Sequence, residues 1–301
     1  MQKIVPHLWF DTQAKEAAEF YVKVFPDSKI ISSTVIKDTP SGDCDFLTFN
    51  LKGHDFMAIS AGPTFKINPS ISFMVNFDPS RDEEARDHLD EMWQALSEGG
   101  EALMPLDKYP FSERYGWVKD RFGVSWQLIL SDGSGDPRPF IVPSLLFSNE
   151  WQGKAEEAIK FYLSVFKDSK MGIEARYEQD TGPAKKGELM FADVQLEGQW
   201  FSLMDSGAEM TEGFNEAISL LISAGDQEEI DYYWNKLSHV PEAEQCGWLK
   251  DKFGVSWQVS PSAMNEMMNE GTPEQMKRLT QAFLKMKKFN LAELEQAYKD
   301  K

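Results

Sequence analysis

Val5, His7 and Trp9 alternate with Pro6, Leu8 and Phe10 near the start of the chain, the period-2 pattern of a strand with apolar surroundings on both faces. The period then lengthens. Ala17, Phe20, Tyr21, Val24 and Phe25 stand at i, i+3, i+4, i+7 and i+8, the stripe of a helix lying on a sheet. Apolar runs at 29–37, 46–51 and 56–60 are separated by the polar turn segments 38–43 and 52–55 and predict three further strands. A second such unit follows, with a strand over Ile71–Phe77 and a helix over 81–97 that carries Ala85, Leu89, Met92, Trp93 and Leu96 on one face. After Gly99 and Gly100, strands are expected at 101–104, 115–119 and 125–130.

The same order returns over 141–260, and the chain repeats itself residue by residue where it does so. GWVKDRFGVSWQ at 116–127 and GWLKDKFGVSWQ at 247–258 share ten of twelve residues at an offset of 131. Ile4, Val5, Pro6, Leu8 and Phe10 match Ile141, Val142, Pro143, Leu145 and Phe147; Phe20, Tyr21, Asp27 and Ser28 match Phe161, Tyr162, Asp168 and Ser169. A period near 130 means duplicated domains rather than a solenoid. We therefore expect a first domain over 1–131, a linker over 132–140, a second domain over 141–261 and a helical tail over 262–301. The linker is polar and rich in glycine and proline, and short enough to keep the halves in contact. In the tail, Thr272, Pro273 and Gln275 form a capping-box signature, followed by a stripe of Met276, Leu279, Phe283 and Met286. A second short helix is expected through Tyr298, the pair packing on the sheets.

Charge narrows the partners. The 301 residues carry 49 acidic and 31 basic side chains, a net charge of −18, and the excess runs along the whole chain. Such a field repels nucleic acid and anionic membranes, so neither is an expected partner. Cys44 and Cys246 occupy non-equivalent places in the two halves, so no disulfide framework is expected, and a reducing cytoplasm suits the chain. The N-terminus opens directly into a strand pattern, and neither a signal peptide nor a membrane span is expected.

Several chemistries lack their residues. The segment 182–188 has the glycine spacing of a phosphate loop but ends in Glu188, so it reads as an exposed turn. No G-x-G-x-x-G follows a strand, and the one serine between glycines, Ser134, sits in the linker rather than at a nucleophile elbow. His54, His88 and His239 fall in a turn or on polar helix surroundings and read as solvated. His7 lies on the first strand beside Val5 and Trp9, and its counterpart in the second half is Ser144. The Lys119–Asp120 and Lys250–Asp251 pairs close a hairpin turn, where adjacent charges serve turn geometry and solubility.

Strand–helix–three strands used twice per half, each half ending in Phe-Gly-Val-Ser-Trp-Gln, resembles the vicinal oxygen chelate superfamily of glyoxalase I, extradiol dioxygenases and bleomycin-resistance proteins. Glu19-Phe20-Tyr21, Phe25-Pro26-Asp27-Ser28 and the 116–127 motif resemble its PhnB-like group, described as 3-demethylubiquinone-9 3-methyltransferase-like. The resemblance implies an α+β fold: a tandem duplication of a glyoxalase-like domain, each half two βαβββ units forming a curved mixed sheet, plus C-terminal helices.

Metal-bearing relatives place ligands at positions that fall here on His7, about Ala58, Ser70 or Ser72, and Gln127, and in the second half on Ser144, about Leu203, Ala217 or Ser219, and Gln258. A catalytic divalent ion needs imidazoles and carboxylates. With one histidine and two carboxamides, neither half is expected to hold one, and no cofactor is expected. If the halves pair within the chain as a pseudo-dimer, His7 meets Gln258 in one pocket and Ser144 meets Gln127 in the other, with Trp9, Trp126 and Trp257 as candidate lining. The sequence thus points to a small-molecule-binding protein with degenerate metal positions, with or without an associated reaction and able to form homo-oligomers. The alternatives are a metal-dependent lyase, isomerase or dioxygenase using His7, or a methyltransferase.

Overall fold

The computed structural model describes residues 2–133 and 136–299; Ser134 and Gly135 of the linker lie outside the described residues. Four consecutive units form two curved sheets, each flanked by helices on its convex side. The first unit comprises β1 (Ile4–Phe10), α1 (Ala14–Val24), β2 (Lys29–Thr39), β3 (Gly42–Leu51) and β4 (His54–Ser60). The second comprises β5 (Ile71–Phe77), α2 (Ala85–Ser97), β6 (Glu101–Tyr109), β7 (Ser112–Lys119) and β8 (Ser125–Leu130). The third comprises β9 (Ile141–Phe147), α3 (Ala155–Val165), β10 (Lys170–Arg176), β11 (Leu189–Leu196) and β12 (Gln199–Asp205). The fourth comprises β13 (Ile218–Ala224), α4 (Gln227–Leu237), β14 (Trp248–Lys250) and β15 (Ser256–Pro261).

The strand order shows how the halves combine. Sheet A runs β14-β15-β13-β1-β4-β3-β2 and sheet B runs β10-β11-β12-β9-β5-β8-β7-β6. Each sheet therefore takes one unit from each half, joined by the antiparallel pairs β1–β13 and β5–β9. The halves pair within one chain, and the sheet expected of each half is completed by the other. The linker contributes to this: Arg138 reaches Asp193 on β11 at 2.6 Å and lies 3.7 Å over the Trp200 ring.

The fourth unit departs from the expected order, having two strands after its helix instead of three. The offset between the halves falls from 141 at Trp93/Trp234 to 131 at Gly116/Gly247, so ten residues that would build a β6 equivalent are absent. A short 3-10 turn at Pro241–Ala243 bridges the gap. Elsewhere strands exceed their expected limits where a tight turn suffices. Lys52 (φ 45°) and Gly53 (φ 89°) both adopt positive φ, the two-residue hairpin geometry that lets β3 run directly into β4.

The core lies between each sheet and its helices. Trp126 and Trp257 are fully buried there, with Phe25, Phe56 and Phe73 around the first and Phe166 and Tyr162 around the second. The hairpin aspartates belong to this core. Asp120 is 3 % exposed; its Oδ1 accepts from the Phe122 and Val124 amides, its Oδ2 from the Tyr21 hydroxyl and Trp126 Nε1, at 2.8–3.0 Å. Asp251 repeats the arrangement with Phe253, Val255, Tyr162 and Trp257. The expectation of a solvated turn charge is thus corrected for the aspartates. Each carboxylate welds its hairpin to the preceding unit's helix, which explains why Tyr21/Tyr162 and the Trp126/Trp257 motif are retained together. Burial raises both carboxyl pKa values while the four donors oppose the rise. The lysines behave as surface charges, Lys119 pairing with Glu101 and Lys250 with Glu216.

The tail contains three helices, α5 (Ser262–Glu270), α6 (Pro273–Phe283) and α7 (Leu291–Lys299), where two were expected. The additional helix carries Met264, Met267 and Met268 at i, i+3 and i+4. The capping box of α6 is formed: the Gln275 amide donates to Thr272 Oγ1 at 3.3 Å, and Gln275 Oε1 accepts from the Thr272 amide at 3.0 Å. These helices pack on the concave side of sheet A, against Ile36, Phe46 and Ile59. Both cysteines are free. Among the described residues no helix is long and apolar enough to cross a membrane.

Candidate binding site

Pairing register decides which side chains share the concave face of sheet A. His7 stands opposite Ser219 on β13 and Met57 on β4, and Gln258 on β15 lies beside Leu221 in the adjoining row. Phe56 and Ala58 flank Met57 and point into the core, so the position expected at about Ala58 is taken by Met57. His7 is 3 % exposed. Its ring stacks on Phe46 at 6.1 Å and receives the edge of Trp248 at 5.6 Å; Trp9 packs edge-on against Trp248 and Phe65. Trp9 Nε1 donates to the Gly62 carbonyl at 2.8 Å, and Gln258 Nε2 donates to Ser219 Oγ at 2.9 Å.

His7 Nδ1 is buried and has no hydrogen-bond partner. Burial in this apolar box lowers the imidazole pKa to about 4, so the ring is neutral at physiological pH. A neutral imidazole presents one donor and one acceptor.

The equivalent face of sheet B has different chemistry. Ser144 is opposite Ser72 on β5 and Ser202 on β12, so Ser202 rather than Leu203 occupies the expected ligand position; Leu203 is in the core. Gln127 Nε2 donates to Ser72 Oγ at 2.8 Å and approaches Ser144 Oγ at 3.4 Å, while the Tyr115 hydroxyl donates to Gln127 Oε1 at 2.7 Å. Gln127 and Ser144 thus meet on one face, as do His7 and Gln258.

Trp126 and Trp257 are not on either concave face. Each precedes its glutamine by one residue and so projects to the opposite side, where its indole N–H serves the buried aspartate. Candidate lining passes instead to Trp248 and Phe46. Trp248 follows Gly247 in the repeated motif and could have been found by counting strand parity; Phe46 is brought in by the β3–β4 hairpin, which motif comparison does not reveal. Of the other histidines, only His54 departs from the expectation of a solvated ring. His54 is half-buried and lowered by burial to about 4, whereas exposed His88 is raised by its 2.7 Å contact with Asp82. His239 is exposed, its Nδ1 3.1 Å from the Leu237 carbonyl.

The donor sets do not suit a catalytic divalent ion. Sheet A offers His7, Met57, Ser219 and Gln258; sheet B offers Ser144, Ser202, Ser72 and Gln127. Neither contains a carboxylate, and no group of three or more His, Cys, Asp or Glu side chains converges among the described residues.

Comparison with known proteins agrees with this architecture. The model of the 3-demethylubiquinone-9 3-methyltransferase family matches residues 2–129 and again 139–260. A PhnB protein from Bacillus cereus is 34% identical over 43% of this chain and 100% of its own, with a TM-score of 0.39. A protein from Pseudomonas aeruginosa is 24% identical over 44% of this chain and 98% of its own, with a TM-score of 0.37. Glyoxalase I from Zea mays aligns over 89% of this chain and 98% of its own at 12% identity and a TM-score of 0.54, a likeness of fold. None of the curated proteins matches the chain. The tandem matches, spanning most of the sequence, place this chain in the 3-demethylubiquinone-9 3-methyltransferase family.

Proposed function

We propose that the chain binds a small, uncharged and largely apolar molecule on the concave face of sheet A, with His7 supplying its hydrogen bond. The single observation that carries this reading is His7 Nδ1, a polar atom buried without a partner inside an aromatic box. A buried polar group lacking a partner costs free energy, and a ligand bearing one complementary donor or acceptor removes that cost. Lys250, the charge on β14 two residues from Trp248, is paired with Glu216 at 2.8 Å and so does not select an ionic ligand. The aromatic walls suit a planar or hydrocarbon body.

Binding in this reading is independent of metal and of any cofactor, because the donor set around His7 is that of a hydrogen-bonding pocket. Native mass spectrometry of gently purified protein is expected to show a retained organic molecule that is lost in His7→Leu. Stoichiometric iron, zinc, nickel or manganese in protein purified without chelator, lost in the same variant, would overturn this in favour of a metal-dependent lyase, isomerase or dioxygenase.

The family's description names a methyltransferase. That activity needs S-adenosylmethionine, and the chain carries no glycine-rich loop between a strand and a helix to cradle it. Calorimetric titration with S-adenosylmethionine is expected to give no saturable heat.

A further inference from the structure

The concave face of sheet A has a ceiling, and its construction differs from that of the core. We propose that α5 and α6 form a lid that must open for a molecule to reach His7; this rests on the binding reading above. Their contact with the sheet is made by Met264, Met267, Met268, Leu279 and Phe283 against Ile36, Phe46 and Ile59. Phe46 is also the ring stacked on His7, so the lid presses directly on a wall of the box.

The two ends of this segment are held, and the middle is not. At its start the chain enters α5 straight from β15. At its end, the Met286 and Lys287 carbonyls accept from the Cys246 and Gly247 amides at 2.8 and 2.7 Å. Gln227 on α4 clamps the same turn, donating to the Phe289 carbonyl at 3.2 Å and accepting from the Leu291 amide at 2.8 Å; Lys288 pairs with Asp231 at 2.6 Å. Between these clamps, among the described residues, 265–283 form no hydrogen bond or ion pair with either sheet. Their polar contacts are internal to the tail: Arg278 and Gln275 hold α6 to the carbonyls of Ala297 and Tyr298 on α7. A layer held by apolar dispersion contacts, three of its five side chains methionine, can slide and re-form without breaking a directional bond, and methionine repacks more readily than other apolar residues. The lid of α5 and α6 therefore opens as a unit against the clamped 284–291 turn while the sheet stays folded.

Hydrogen exchange of the full chain tests this directly. Amides of α5 and α6 are expected to exchange at least about tenfold faster than those of β1, β13 and the 284–291 turn, as local opening below the global unfolding limit requires. Equal protection of α5–α6 and β1 would overturn the lid. In the double variant Met267→Ala with Met268→Ala, exchange in α5–α6 should rise further with β1 unchanged; a uniform loss of protection would show that the helices are core and defeat the proposal. The neutral probe N-phenyl-1-naphthylamine then separates the lid from the site. If the lid opens by exchange but the probe shows no saturable fluorescence, or shows the same fluorescence in His7→Leu, the binding reading fails while the lid stands. If both hold, its association rate should level off with concentration at the opening rate and rise in the methionine variant.

Discussion

The concave faces of the two sheets are built from repeats of one unit, and they have become different chemical environments. Sheet A carries His7, Met57, Ser219 and Gln258 beneath three helices; sheet B carries Ser144, Ser202, Ser72 and Gln127 without them. Strand, register and even the closing glutamine are shared. They differ at His7 against Ser144 and Met57 against Ser202, in the missing β6 equivalent of sheet A, and in the tail packed upon it. His7 places a titratable ring in an apolar box where Ser144 stands on the other face, and beside β14, where no β6 equivalent exists among the described residues, the tail packs instead. The motif glycines have different neighbours: a β-carbon on Gly116 would meet the Trp93 ring of α2 at 2.5 Å, whereas one on Gly247 would meet Phe289 of the tail at 2.6 Å. Convex faces changed little because each is welded by a buried carboxylate with four donors. The duplicated fold thus keeps its convex side, which folds it, and varies its concave side.

The largest effect should come from what the halves share. Asp120→Ala and Asp251→Ala each leave a tyrosine hydroxyl, an indole N–H and two backbone amides without an acceptor in the core, a loss of roughly 3–5 kcal/mol. Denaturant unfolding of the two variants should give similar losses; a small effect at either site would break the equivalence of the convex faces.

The next prediction separates the concave faces. His7 has a folded pKa of about 4 against 6.5 for an ordinary imidazole, so between those values the unfolded chain binds a proton that the folded protein refuses. Stability from this source is complete above pH 6.5, is lost as pH falls towards 4, and amounts to about 3 kcal/mol at 1.36 kcal/mol per pH unit. Burial gives His54 the same sign, and the buried aspartates titrate as well, so the measurement is the difference between wild type and His7→Gln. That difference should widen in favour of the variant as pH drops from 6.5 to 4. A pH-independent difference would mean that His7 is hydrated.

The smallest effect sharpens the role of the tail. Thr272→Ala removes the N-cap of α6, worth about 1 kcal/mol. If α6 belongs to a lid, the loss should appear as roughly fivefold faster exchange within α5–α6 and leave the unfolding midpoint of the sheets unchanged. A fall in the global midpoint with uniform exchange would tie the tail to the core instead.

The sequence by itself determined the repeat, the α+β order of elements and the capping box at Thr272. All of these follow from local periodicity, local capping residues and motifs that recur in unchanged order. Only the tertiary structure decided that each sheet is assembled across the halves, that Met57 and Ser202 rather than Ala58 and Leu203 share the face of His7 and Ser144, and that Trp126 and Trp257 face the core. A one-residue shift along a strand sends every side chain to the opposite face, and register is set by the partner strand, not by the strand itself. The burial of Asp120 and Asp251 was hidden for a related reason. Their donors Tyr21 and Tyr162 lie 99 and 89 residues away in the chain, and only folding brings a turn charge to a helix that can satisfy it.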